Sequence, residues 1–233
     1  MRIIFVRHGH PNYDLDCLTP LGHKHGEAVA ERLKNEPIER IFSSTGGRAM
    51  ETAEHIAAKH NLPVESIDKN FGFGVEGLDF MREIKWGSAD GLPVYEDGHP
   101  WLNSDYLVEQ GKDLLDKDWR MSEQYRNNKV AAAGDKLGEG LDAWLSELGY
   151  TREGDYYRVG EVMHHTVVVV SHGGASTAAL GHLFNLPLPF LFSAVCPDYT
   201  AVTVVAFSEQ KGALIAPKFE IANDARHIAN IKE

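Results

Sequence analysis

Residues 166–171 read TVVVVS, four consecutive valines between two hydroxyl residues. A β-branched run this short and this apolar is a strand buried on both faces, which places it inside a parallel sheet covered by helices. Residues 2–6 (RIIFV) and 38–44 (IERIFSS) repeat the pattern, residues 64–67 (VESI) give a third extended piece, and residues 201–207 (AVTVVAF) supply a last strand. Helices fall between them. Thr19 and Pro20 read as an N-cap with proline at the first helical position, with Leu21, Ala28, Val29 and Leu33 on one face and Pro37 as the stop. Residues 48–60 form a second helix with Ala49, Ala53, Ile56 and Ala57 facing inward, closed by Asn61 and Pro63, and small residues make a third around 175–184. The alternation predicts an α/β fold, a three-layer sandwich with a mostly parallel sheet flanked by helices.

Residues 87–160 break this rhythm. They hold a Gly/Pro-punctuated piece (GLPVYEDGHPW), then a helix with Val130, Leu137, Leu141, Trp144 and Leu148 at helical spacing. Gly134, Gly138 and Gly140 weaken it. A hairpin over residues 152–159 turns at Glu153, Gly154 and Asp155. The chain therefore reads as one domain over 1–233, with an inserted cap region at about 87–160. Trp144 and its leucines read as core. The aromatics His99, Trp101, Tyr106 and Trp119 either line a substrate lid or simply pack the insertion.

Lys and Arg number 23 against 34 Asp and Glu, a formal charge of −11 with no basic run. That balance argues against nucleic acid or an anionic membrane as partner. An anionic substrate would need positive charge gathered locally. Cys17 and Cys196 lie far apart without metal-ligand spacing, so neither a disulfide framework nor a thiolate zinc site is expected. The apolar stretch at the N-terminus is too short for a signal peptide, and a cytoplasmic location is expected.

In open α/β sheets, ligands bind beyond the carboxyl ends of the strands. Arg7, His8 and Gly9 follow the first strand, Arg48 opens the helix after the second, and His172 and Gly173 follow the valine run. Converging arginines and helix N-termini suit a phosphate, whose oxygens accept bidentate guanidinium bonds. A neutral imidazole is also a competent nucleophile towards phosphorus. The same residues allow a rival: His8, Gly9 and His10 form an HxH after a strand, and the chain has 12 histidines, including His164 and His165. A metal-dependent hydrolase would use such ligands, although Arg7 beside them would repel a cation. His23 and His25 read as solvated helix residues.

The chain resembles the histidine phosphatase superfamily, which includes the cofactor-dependent phosphoglycerate mutases. The resemblance rests on VRHG at 6–9, LTPLG at 18–22, SSTGGRAMETA at 43–53, REIKWG at 82–87, SHGG at 171–174 and NDARH at 223–227, in family order. It implies a phosphoglycerate mutase-like fold, a small phosphorylated substrate, no metal and no other cofactor. It further implies that His8 becomes phosphorylated, that Arg7, Arg48 and His172 form the phosphate pocket with the Gly173 amide, and that Glu83 is the proton donor, with Glu76 as competitor. The sequence departs from the family at Pro11 and Asp14, where a hydroxyl residue and an asparagine are common. Asp14 is thus either a non-contacting loop residue or a selector of substrate charge, and Trp101 is a candidate substrate contact. Hydrolysis is the expected reaction; mutase-type transfer and a non-catalytic phospholigand domain remain open.

Overall fold

The two most apolar strands lie side by side. In the computed structural model, which describes residues 1–62 and 75–231, β1 (Arg2–Arg7) pairs in parallel with the valine strand from Arg2 opposite Thr166 to Arg7 opposite Ser171. In chain order, β1 is followed by a small ribbon, β2 (Pro11–Asn12) and β3 (Cys17–Leu18), then α1 (Pro20–Leu33), β4 (Arg40–Ser43), α2 (Gly47–His60) and β5 (Val75–Gly77). The interrupted region contributes α3 (Pro100–Glu109), α4 (Lys129–Glu147), β6 (Tyr150–Glu153) and β7 (Tyr156–Val159). The valine strand, β8 (Thr166–Ser171), leads into α5 (Gly173–Phe184), α6 (Leu188–Ala194), β9 (Val202–Ala206), β10 (Leu214–Ile215) and β11 (Lys218–Asp224). The main sheet has the order β11-β9-β1-β8-β4-β5. Its β1, β8, β4 and β5 are parallel, and β9 and β11 are antiparallel to their neighbours.

Alternation along the strands divides the core in two. Ile4, Val6, Ile41, Val168 and Val170 meet Val29, Leu33, Ala53 and Ile56 of α1 and α2. On the opposite face Ile3, Phe5, Phe42, Val167 and Val169 meet Leu141 and Trp144 of α4 and Ala175 and Ala179 of α5. Burying each valine contributes about 1.5–3 kcal/mol, so both helical layers are held by the sheet itself. This is the three-layer arrangement that the sequence predicts. Among the described residues, no helix is long and apolar enough to cross a membrane.

Local signals explain the element ends. Thr19 caps α1 by accepting the Gly22 amide (3.1 Å), and Asn61 ends α2 in the left-handed region at φ 47°. The hairpin of β6 and β7 turns at Gly154 and Asp155 as expected. Three expectations are corrected. The buried face of α1 is Gly22, His25, Gly26, Val29, Ala30 and Leu33, with Leu21 and Ala28 only half-buried, because Gly26 lies against His55 of α2 and Gly22 against the His10 carbonyl. His25 is therefore 5% exposed, not solvated, whereas His23 is exposed. The last strand is not β9, since β11 lies outside it on the sheet edge. The extended piece expected at residues 64–67 lies outside the described residues.

The glycines of α4 are contact points. A Cβ on Gly138 would lie 2.4 Å from Nδ1 of His182, whose ring is held by Asp142 through a 2.9 Å hydrogen bond. At Gly134 the obstacle is only a terminal methyl of Leu188. Helix propensity alone favours alanine over glycine by about 1 kcal/mol. Gly138→Ala is nonetheless expected to destabilise the protein by about 1–3 kcal/mol through overpacking, and Gly134→Ala by much less, as measured by urea unfolding.

Candidate active site

The register of β1 and β8 sets their next residues together. His8 follows β1 and donates its amide to the Ser171 carbonyl (2.9 Å), and His172 follows β8, so the two imidazole centroids lie 5.3 Å apart. Pairing of Ser43 with Val170 brings the end of β4 to the same edge, and α2 starts there with Arg48 in its first turn.

His8 is 1% exposed, and its Nδ1 faces the Gly9 carbonyl at 2.7 Å. A carbonyl only accepts, so the proton sits on Nδ1 and Nε2 carries the lone pair. Arg48 Nε donates to that Nε2 at 3.2 Å. Burial, reinforced by the charges of Arg48 and Arg7, outweighs the Gly9 bond and pulls the His8 pKa down to about 3. The imidazole is neutral at pH 7.

His172 is held differently. Ser44 Oγ accepts the Gly46 amide (3.2 Å) and lies 2.7 Å from His172 Nε2. The other ring nitrogen, Nδ1, is buried and has no partner among the described residues. Burial, with the neighbouring His8 and the arginines, lowers its pKa to about 2. Arg7 is similar: Nη1 donates to the Pro197 carbonyl (2.5 Å), the guanidinium lies 4.4 Å over the Tyr199 ring centroid, and the buried Nε has no acceptor among the described residues. Gly173 lies against this guanidinium, its Cβ position 3.5 Å from Arg7 Nε. A buried donor left unpaired costs about 1–3 kcal/mol, so Arg7 Nε favours a ligand that brings an acceptor.

Arg48 has a further partner. Its Nη1 pairs with Asp16, whose other oxygen accepts the Gly47 amide at the start of α2 (2.9 Å). Partial burial pushes the Asp16 carboxyl up, but the Gly47 amide and Arg48 outweigh it and hold the pKa below its ordinary value. Asp14, the residue singled out from the sequence, is exposed on the preceding turn, its amide bonded to Asn12 Oδ1 (3.1 Å). Pro11 is buried in β2.

Glu83 sits at the N-terminus of α5. One carboxylate oxygen accepts the Ala175 amide (3.0 Å) and the Ile84 amide (3.1 Å), and a Cβ on Gly174 would come within 2.7 Å of it, so a larger residue there would displace the carboxylate. Burial raises its pKa against the opposing pull of these amides and of Arg48. The competitor Glu76 is elsewhere, on β5 and paired with Arg40. Trp101 lies on α3, its indole donating to the Val195 carbonyl (3.4 Å) and its ring 5.0 Å from Phe192. Tyr106 stacks near Tyr95, and Trp119 is buried against Tyr125.

The structure thus brings together Arg7, His8, Arg48, His172, Gly173 and Glu83 and leaves Asp14 and Glu76 apart from them. Sequence reasoning missed Ser44, Asp16 and Tyr199. Ser44 lies inside the quoted SSTGGRAMETA segment, whereas nothing local marks Tyr199. His10, the second histidine of the HxH, bonds Thr19 Oγ1 (2.9 Å) and turns its ring towards Tyr199. Among the described residues, no group of three or more His, Cys, Asp or Glu is placed to hold a metal ion.

Comparison with known proteins agrees with this geometry. The model of the histidine phosphatase superfamily (branch 1) matches residues 3–218, and the chain belongs to that family. It is 30% identical over 139 residues to "Uncharacterized protein Rv0525" of Mycobacterium tuberculosis, a match covering 58% of this chain and 66% of that protein, just under two thirds of its length. Among solved structures it is similar to a mycobacterial glucosyl-3-phosphoglycerate phosphatase, Rv2419c (TM-score 0.61, 20% identity, 95% of this chain and 98% of the other). It is also similar to a phosphoserine phosphatase from Entamoeba histolytica in complex with 3-phosphoglyceric acid (TM-score 0.58, 21% identity, 97% and 98% covered). At these identities the likeness shows the shared fold.

The depressed imidazole pKa values carry a stability consequence. Between pH 6.5 and about 3 the unfolded chain binds protons at His8 that the folded protein refuses, so stability falls as pH drops through that window. His172 acts in the same direction. The urea midpoint of the wild type should therefore drop more steeply from pH 6.5 to 4 than that of His172→Gln. Parallel curves would show that this imidazole exerts no such linkage.

Proposed function

We propose that this protein is a cytoplasmic enzyme that hydrolyses small phosphomonoesters through a phosphohistidine formed on His8, without a metal or other cofactor. The observation that carries the reading is the single cup in which the His8 Nε2 lone pair meets Arg48, the free buried donor Arg7 Nε and the imidazole of His172. Transferring phosphoryl oxygens accept from those donors, and such preorganised charge is usually the largest catalytic contribution. His8 Nε2 forms a bond to phosphorus as the ester P–O bond breaks. Glu83, whose carboxyl burial pushes above its ordinary pKa and so towards the protonated form, gives its proton to the leaving oxygen. As a carboxylate it then takes a proton from water, which attacks phosphorus, breaks the N–P bond and regenerates His8. Two guanidiniums near the imidazole oppose a divalent cation there, each by on the order of 8 kcal/mol at ~4 Å in an effective dielectric of 20. Trp101 ties residues 87–160, the proposed cap of this single domain, to the chain just before Pro197. Free Cys17 and Cys196 suit a reducing compartment. Phosphoserine and glucosyl-3-phosphoglycerate, named for the similar structures, are natural first substrates to assay.

Acid-free quenching of a single turnover with a radiolabelled phosphomonoester should trap label on the wild type in the presence of EDTA and none on His8→Ala. Label at another residue, or loss of turnover with EDTA, overturns the reading; transfer of the label to a second hydroxyl in place of water identifies a mutase. Glu83→Gln should slow alkyl phosphates by about 10²–10⁴-fold and aryl phosphates, whose leaving groups need no proton, by much less. Equal slowing of both removes Glu83 from the acid role.

A further inference from the structure

The NDARH segment, residues 223–227, touches none of the reacting groups, yet it holds the loop that holds Arg7. That loop, residues 195–201, joins α6 to β9 and supplies both the Pro197 carbonyl that accepts from Arg7 Nη1 and the Tyr199 ring beneath the guanidinium. Its conformation is not one the chain adopts by default. Thr200, a β-branched residue, sits in the left-handed region at φ 53°. Such a residue persists only where its surroundings over-determine it.

Asn223 supplies much of that determination. Its Oδ1 accepts the Asp198 amide (3.0 Å) and its Nδ2 donates to the Cys196 carbonyl (3.2 Å), so one side-chain amide brackets Pro197 from both sides. The Asn223 backbone is itself left-handed at φ 47°, where asparagine is tolerated better than most residues, and its amide is fixed on Thr203 Oγ1 (3.0 Å). His227 Nε2 lies 3.1 Å from Thr200 Oγ1, and the Thr200 amide reaches the His8 carbonyl at 3.4 Å. The path from the C-terminal strand to the cup is therefore continuous: Asn223, the loop, then Arg7.

We propose that Asn223 is a positioning residue for Arg7. By bracketing Pro197 it sets the carbonyl and the Tyr199 ring that together leave the Arg7 Nε–H turned to the phosphoryl site. The inference rests on the reading that Arg7 binds the phosphoryl group.

A double-mutant cycle tests it, with the dissociation constant of inorganic phosphate, read by ³¹P NMR on the full chain, as the measurement. Asn223→Gly keeps a backbone that tolerates positive φ and removes only the amide. Loss of both side-chain hydrogen bonds around Pro197, which misplaces one charge-assisted donor, predicts about tenfold weaker phosphate binding in the wild-type background. In an Arg7→Ala background the same substitution should change nothing further, because its effect passes through Arg7. An equal loss in both backgrounds, or no loss in either, overturns the proposal and leaves Asn223 a structural residue. If Arg7→Ala alone leaves phosphate binding unchanged, the phosphate-binding role of Arg7 fails and takes this inference with it. Should Asn223→Gly not fold, Tyr199→Leu removes the other half of the clamp and enters the same cycle with the same expected non-additivity.

Discussion

The parallel ladder between β1 and β8 is the constraint on which the site depends. Four valines that are apolar on both faces do not by themselves specify a register, since a shift along the strand keeps both faces apolar. The polar ends decide it. The Arg2 amide is bonded to the His165 carbonyl (2.7 Å), the His8 amide to Ser171, and Ser171 Oγ donates to the Met81 carbonyl (2.6 Å). A slip of one residue would break these bonds and turn one imidazole to the opposite face from the other. The segment before Glu83 is thus tied to the same strand that delivers His172.

One physical cause pushes both groups towards the protonation states that phosphoryl transfer needs. Burial disfavours the charged form of any group, so it lowers the pKa of His8 and raises that of Glu83 within the same pocket. Both shifts favour a lone pair for attack and a proton for the leaving oxygen. The arginines do not cancel this pattern. They lower the imidazole values further, and their opposing effect on Glu83 is smaller than its desolvation. Asp16 offsets part of the Arg48 charge. In a chain of net charge −11, the cup is thus a local exception made by position.

What the sequence disclosed follows from how locally each feature is encoded. The strands β1, β4 and β8 and the N-cap Thr19 were legible because apolar runs and capping residues act within a few positions. Residues following strand ends could be placed at one edge because topology alone puts them there. β11 was missed because it is a mostly exposed edge strand whose polar–apolar alternation (KFEI) is short and whose pairing with β9 is broken by register shifts. Asp14 was singled out in place of Asp16 because the turn through Asn12 is not visible in composition, and that turn decides which carboxylate reaches Arg48. His25 read as solvated because its burial depends on tertiary neighbours, the Tyr199 ring stacked on it and α2 packed against Gly26 beside it. Tyr199 reaches Arg7 only through a loop whose shape is fixed by a strand more than twenty residues later.

The two kinds of active group are held by different means. The imidazoles stand on strand ends, where the sheet ladder fixes them, with the His8 tautomer set by the Gly9 carbonyl and the His172 ring held against Ser44 of the same edge. The arginines take their orientation from loops: Arg7 from Pro197 and Tyr199, Arg48 from Asp16. Loops tolerate sequence change far better than a buried parallel strand does. The nucleophile is thereby better insulated than the anion-binding wall, because altering residues 12–16, Pro197 or Tyr199 re-aims a guanidinium while the ladder of β1 and β8 still holds His8. A fold built this way can change which ester it accepts while keeping the chemistry at phosphorus constant.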